Sequence, residues 1–182
     1  ETNIIKDKLR GNWGSLGDWL SPEHDKNEKS LLWEAYFLYD LELMGKIALE
    51  LEEPQDAAFF KELYWERKTF FNKTYMDKET GKTKFPDSDR IVDTQVSYVL
   101  PLAFNLVEEQ HREKFTANFL HTIQRENRAD NGPVCPPYSL MTGFIGTAWI
   151  SKALSDLGYT DIAYRLLHHT EYPSWSYSVE QG

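Results

Sequence analysis

Apolar residues recur along this chain at three-and-four spacing, the period of one face of an α-helix. From about Glu28 to Leu51 they fall at Trp33, Phe37, Leu41, Met44, Ala48 and Leu51. Leu32, Tyr36, Tyr39 and Leu43 widen that stripe, which predicts a helix touched on more than one side. A turn at Glu52-Glu53-Pro54 leads into a second helix, from about Gln55 to Tyr75, with Pro54 and Asp56 suited to its first turn. Its apolar face runs through Ala57, Phe60, Leu63, Tyr64, Phe70 and Phe71. Met76 to Arg90 is a polar connector, with a turn at Asp77–Lys82 in which Gly81 supplies an open backbone position. Further helices are predicted over Ile91–Val107, where Pro101 bends or breaks the element, and over Glu108–Asn127. A fifth runs over Thr142–Leu157 and stops at Gly158 as a C-cap, and a sixth runs from Thr160-Asp161 to His169. Arg128 to Tyr138 reads as a long loop, and the tail Glu171–Val179 as extended, with aromatics alternating with small polar residues. No strand pattern is long enough to build a sheet.

The linkers are asymmetric. Tight ones alternate with longer ones bearing Gly, Pro and aromatic residues, and in a helical array the long loops form the working side. Asp18-Trp19, Asp93–Gln95, Thr142–Phe144 and Trp175–Tyr177 fall on that side. In Gly17-Asp18-Trp19-Leu20-Ser21-Pro22 the proline prevents a helix from running through, so an irregular loop holds an acid beside an indole. An indole is a flat apolar platform with one N–H donor, and a carboxylate accepts from hydroxyls; together they suit a sugar ring. The competing reading makes Trp19 a core plug and Asp18 a loop cap.

Composition narrows the partners. A chain of 182 residues fits one domain, 1–182, with a sizeable core, and its 14% aromatic content suits both a helical core and a carbohydrate site. A net charge of −9 argues against nucleic acid and anionic membranes as partners, and no apolar run is long enough to cross a bilayer. The single Cys135 lies between prolines and reads as a buried thiol. His168 and His169 lack the spacing of metal ligands, and no cofactor or metal is expected. The first residue is Glu1 rather than Met, so the chain is expected to be processed or cut from something larger.

Five segments together resemble a known family. They are Gly17-Asp18-Trp19-Leu20 ahead of Ala35-Tyr36-Phe37, Thr94-Gln95-Val96-Ser97-Tyr98 with Leu100–Phe104, Leu140–Thr147, Gly158–Tyr164, and Tyr172-Pro173-Ser174-Trp175-Ser176-Tyr177. In this order they resemble the α-L-rhamnosidases of glycoside hydrolase family 78. The resemblance implies an all-α fold, part of an (α/α)6 toroid of helical hairpins around a pocket for terminal L-rhamnose. It also implies hydrolysis with inversion, for which acid and base carboxyls stand roughly 6.5–9.5 Å apart. The family's general acid lies in an Arg-Asp-Glu-Arg-like segment upstream of the Gly-Asp-Trp loop. Its base lies in a Trp-Glu segment beyond the Gln181-Gly182 position. Both carboxylates are therefore expected outside this chain, which alone would be inactive, and no catalytic residue is assigned within it. Trp65-Glu66-Arg67 mimics the base motif but lies mid-helix and is expected to be a solvated face with Arg67.

The resemblance makes Trp19 the wall against the C6 methyl of the sugar. Asp18, Trp175 and Tyr177 are the other substrate-binding candidates, with loop ordering the stronger reading for Asp18 and loop packing the rival for the last two. Ser176 stands where the family usually has Gly. The expected partners are carbohydrate and either a second copy or the remainder of a parent enzyme, because part of a helical ring leaves apolar faces open. The compartment is open, with periplasm or exterior ahead of cytoplasm. A non-catalytic helical carbohydrate-binding or interaction module is the alternative.

Overall fold

A computed structural model provides the fold, described here for residues 4–5, 16–130 and 132–182. After a 3-10 turn at His24–Lys26 come α1 (Lys29–Glu50) and α2 (Pro54–Tyr75), then α3 (Gln95–Ala103) and α4 (Glu109–Gln124). Two short strands, β1 (Asn127–Arg128) and β2 (Val134–Cys135), pair antiparallel. The chain continues with α5 (Phe144–Asp156), α6 (Thr160–His168) and α7 (Trp175–Glu180). Each odd helix packs on the even helix that follows it, and α3 lies between α1 and α5. The fold is therefore a row of helical hairpins, α1–α2, α3–α4 and α5–α6.

The buried face of α1 is Leu31, Leu32, Ala35, Leu38, Leu41 and Ala48; of the predicted stripe Leu32, Leu41 and Ala48 are buried, Trp33 and Phe37 half-buried, and Met44 and Leu51 exposed. A polar residue also stands at the interface. Glu34 is fully buried in α1 and receives both ends of the Arg67 guanidinium from α2, with Nε 2.8 Å from Oε1. Arg67 also lies 4.6 Å from the Phe70 ring centroid, so it is an interior partner and not the solvated residue expected from the sequence. Glu66 beside it is exposed. The helix α3 is buried from Gln95 to Leu102, polar residues included, as befits the middle of the row. Pro101 sits inside it, and the helix ends soon after, at Ala103.

One turn design closes all three hairpins. The C-cap residue is followed by one with positive φ: Glu52 (59°), Asn105 (55°) and Gly158 (86°). The next N–H then reaches back to the carbonyl five residues earlier, Glu53 to Ala48 at 2.9 Å, Leu106 to Pro101 at 2.8 Å and Tyr159 to Leu154 at 2.8 Å. The positive-φ residue itself donates to Leu49, Leu102 or Ser155. This is the Schellman arrangement, which satisfies carbonyls that a helix end leaves orphaned. Only Gly158 announces it in the sequence.

The connections at the other end of the hairpins are long and irregular. Asp77 accepts from the N–H groups of Glu79 and Thr80 at 2.9 and 2.8 Å, and Gly81 takes φ 69°, forming the expected turn. The tail differs from expectation. Residues 175–180 form α7 because Ser174 caps them, its hydroxyl accepting from Tyr177 N at 3.0 Å. The alternation of rings with serines imitates a strand, but a single cap decides for helix. Among the described residues no helix is long and apolar enough to cross a membrane.

Candidate functional site

The site grows from the first turn of α5. Its free N–H groups need acceptors, and the loop from Gly17 to Pro22 supplies them. Asp18 is fully buried. One carboxylate oxygen accepts from Gly143 N at 2.7 Å, and the other from Ile145 N and Gly146 N, each at 3.0 Å. A carboxylate here also faces the positive end of the helix dipole. Burial pushes the Asp18 carboxyl above its usual range, while the N–H groups of Gly143, Gly146 and Ile145 pull it back. Both of its oxygens are thus engaged within the protein.

The same contact places Trp19. Its carbonyl accepts from Phe144 N at 3.0 Å, and its ring meets the Phe144 ring at 5.4 Å between centroids and 73° between planes. Gly143 makes the approach possible, because a Cβ there would lie 2.1 Å from the Trp19 carbonyl oxygen. Trp19 remains 40% exposed, so it is no core plug; Phe144, at 63%, is more exposed still. Tyr36 lies nearby on α1. Its hydroxyl accepts from the Trp149 indole at 2.9 Å, and burial, with the Asp18 charge as a further cause, raises its pKa.

A buried strut ties this loop to the rest of the working end. Gln95 accepts from Met141 N at 2.9 Å and donates to the Ser139 carbonyl at 3.0 Å. Ser21 donates to the Met141 carbonyl at 3.0 Å. Leu140 N donates to the Pro173 carbonyl at 2.8 Å, which brings in the segment before α7. Residues 139–143 therefore join the Asp18-Trp19 loop, the start of α3 and the Tyr172–Tyr177 segment. Trp175 is half-buried against the hydrophobic core, and Tyr177 meets Tyr172 at 5.5 Å between centroids. Ser176 donates to the Leu167 carbonyl at 2.9 Å. The structure links the two aromatic pairs through this strut, and the ring partner of Trp19 is Phe144.

The other buried carboxylates are engaged to different degrees. Asp93 accepts from Tyr98 at 2.6 Å, Arg125 at 2.8 Å and Lys82 at 3.1 Å. Burial would raise its carboxyl, but these three donors outweigh burial and hold it below the usual range. Glu23 is buried two residues after Ser21, with Oε1 3.3 Å from Lys26 Nζ and Oε2 without a hydrogen-bond partner. Burial raises its pKa. Sequence reading placed Thr142–Phe144 on the working side without giving Phe144 a role of its own, and it passed over Glu23, which nothing in the local pattern separates from a surface acid. Cavities of about 410, 520 and 270 Å³ lie between α1 and α2, beside α4, and between α5 and α6. Trp19, Trp175 and Tyr177 line none of these three. Among the described residues, no group of three His, Cys, Asp or Glu side chains is placed to hold a metal ion.

The family model of the bacterial α-L-rhamnosidase six-hairpin glycosidase domain matches residues 3–182. The chain belongs to this rhamnosidase family. An α-L-rhamnosidase of Streptomyces avermitilis is 34% identical over 166 residues, covering 91% of this chain and 14% of that protein. An α-L-rhamnosidase of Formosa agariphila is 34% identical over 174 residues, covering 92% and 17%. The crystal structure of the Streptomyces avermitilis α-L-rhamnosidase complexed with L-rhamnose superposes with a TM-score of 0.75 at 33% identity, covering 91% of this chain and 14% of that one. The chain spans less than a fifth of the length of these rhamnosidases. Its hairpins are part of the (α/α)6 toroid of a rhamnosidase six-hairpin domain.

Proposed function

We propose that this chain is the central, single-domain portion of the toroid of an inverting α-L-rhamnosidase, which removes terminal α-L-rhamnose from glycosides or polysaccharides. The observation that carries the reading is Trp19, a large exposed ring on a loop that Asp18 clamps to the start of α5. A rigid exposed indole suits the apolar face of a sugar. The relative crystallised with L-rhamnose supports the choice of sugar. In this reading Asp18 acts by positioning Trp19, and Trp175 and Tyr177 extend the wall. The catalytic carboxylates come from outside residues 1–182, which accords with the engagement of Asp18, Glu34 and Asp93 by N–H, guanidinium and ammonium groups. Leu43, Met44 and Ile47 on α1 and Leu51 just after it, all exposed, would meet a second copy or the remainder of a longer enzyme. We place the protein in the periplasm or outside the cell.

Assay of the purified chain with an aryl α-L-rhamnoside tests the location of the carboxylates. No turnover above the buffer rate is expected. Turnover abolished by Glu23→Gln would put the acid inside this chain and overturn that part of the proposal. Light scattering after size exclusion should show an associated species, and a clean monomer would count against the open α1 face.

A further inference from the structure

The 3-10 turn at His24–Lys26 joins two parts of the loop end. On one side, neutral bonds hold it. Ser21 donates to the Met141 carbonyl and accepts from Glu23 N at 3.1 Å, and Thr94 donates to the Asn27 side chain at 2.6 Å. On the other side it meets the β1–β2 hairpin through three contacts. Asp130 N donates to the Pro22 carbonyl at 2.8 Å, Asp25 N donates to the Asp130 carboxylate at 2.7 Å, and the Lys26 ammonium donates to the Arg128 carbonyl. The third contact runs through Glu23, the other partner of Lys26, at 3.3 Å.

Glu23 is poorly provided for as an anion. It is buried, and Oε2 has no hydrogen-bond partner. Among the described residues four buried side-chain polar atoms lack one, and three of them belong to this segment: Glu23 Oε2, His24 Nδ1 and Asn27 Nδ2. Buried polar groups are nearly always paired, so this concentration marks a place where the fold holds strain. The charges around Glu23 come from every element packed on it. Lys26 on the turn and Arg125 at the end of α4 favour the carboxylate, Asp130 in the hairpin loop opposes it, and the Cys135 thiol of β2 feels its charge. Desolvation outweighs the two cations and pushes the carboxyl above its usual range.

We propose that Glu23 is the pivot of a proton-operated latch on the β1–β2 hairpin. Ionised, it holds Lys26 on the Arg128 carbonyl and the hairpin against the turn. Protonated, it releases Lys26 to water and leaves the hairpin on its two Asp130 contacts. A neutral carboxyl no longer attracts the ammonium, and the Lys26 side chain, 39% exposed, has solvent beside it. Exchanging a carbonyl bond for hydration costs Lys26 little. The Trp19 side of the turn rests on the Ser21 and Thr94 bonds, which a proton on Glu23 leaves in place. The hairpin is therefore the moving part, a lip beside the Trp19 loop whose position follows the acidity of the medium. This holds whether or not Trp19 meets a sugar. Folding raises the Glu23 carboxyl, so the folded state favours the proton. Stability then falls as pH rises from 4.5, the ordinary glutamate value, through the folded value.

Proton–nitrogen correlation NMR of the 182-residue chain, from neutral to acidic pH, tests this. The amides of Arg128 and its strand partner Val134 are expected to shift together in one step centred above pH 4.5, with the Trp19 indole N–H not following it. Glu23→Gln should abolish that step, which separates it from the titration of His24, Asp25 and Asp130 at the same contact. Lys26→Met keeps the stem and drops the charge. It should place both amides, at neutral pH, where the parent has them in acid. The Glu23 step, read at its own amide, should also move further up, because Lys26 is the leading influence against protonation. Should Glu23→Gln fail to fold, Lys26→Met decides alone. Hairpin amides without a step above 4.5, or a step that survives Glu23→Gln, overturn the latch. So does a Lys26→Met spectrum with the hairpin at the parent's neutral position, or a Trp19 resonance that follows the step.

Discussion

The two ends of the hairpins solve the same problem by opposite means. At the tight-turn end, orphaned helix carbonyls are satisfied by N–H groups a few residues away, in one repeated arrangement at Glu52, Asn105 and Gly158. At the long-loop end, the donors and acceptors come from distant parts of the chain: Asp18 reaches Gly143 across 125 residues and Ser21 reaches Met141 across 120. Local bonding makes each turn an independent unit. Long-range bonding makes the loop end one coupled object, in which a binding side chain is only as well placed as its most distant support. Such coupling suits a site, where the position of a ring matters more than its stability.

That contrast can be broken at defined points. Asp18→Ala should cost about 3 kcal/mol in urea unfolding, because it strips three N–H groups of a charged acceptor. It should also shift Trp19 emission, a readout that changes at the turn end should leave alone. Gly143→Ala should cost about 2 kcal/mol as its Cβ forces the Trp19 carbonyl away from α5. Asp93→Asn should cost about 1.5 kcal/mol at neutral pH by weakening the links to Lys82 and Arg125, a half-buried pair of bonds. Asn tolerates the φ of 54° at this position, so the backbone is kept. The sign of its pH dependence follows from the depressed carboxyl. The Asp93 contribution is complete above the unfolded value of about 3.9 and is lost as pH falls through the lower folded value. The gap between parent and Asp93→Asn should therefore narrow on acidification, and a gap constant from neutral pH to strong acid would refute the assignment. At the turn end, Glu52→Gly should raise stability by roughly 0.5 kcal/mol, the relief of left-handed strain less the entropy that glycine adds to the unfolded chain. Trp19 emission should be unchanged in that variant.

What the sequence revealed follows the same division. The helices α1 to α6, the Asp77–Gly81 turn and the Gly158 cap rest on contacts within a few residues and were legible from spacing and residue type, whereas α7 was not. The loop position of Trp19 was legible because Pro22 and the glycines mark it. Glu52 and Asn105 escaped notice since neither is glycine, although their backbones do what Gly158 does. The tertiary role of Asp18 could be named only as one of two readings, because its partners lie at Gly143, Ile145 and Gly146. Thr142–Phe144 was legible as part of the working side, but the pairing of Phe144 with Trp19 was not, because it depends on bonds across more than 120 residues. The α1 stripe was right at Leu41 and Ala48, but hydrophobicity could not foresee a buried Glu34 matched to an arginine on the next helix. The all-α fold was carried by periodicity, and the toroid by resemblance.

The cap of α5 has a consequence for how the polypeptide is made. On a ribosome, Asp18 emerges 125 residues ahead of Gly143, so its carboxylate waits without these partners until the start of α5 has been made. The exposed ring pair is set only at that moment. The fixed orientation of Trp19 is thus a late event for so early a residue, because it depends on a helix that begins 125 residues further on.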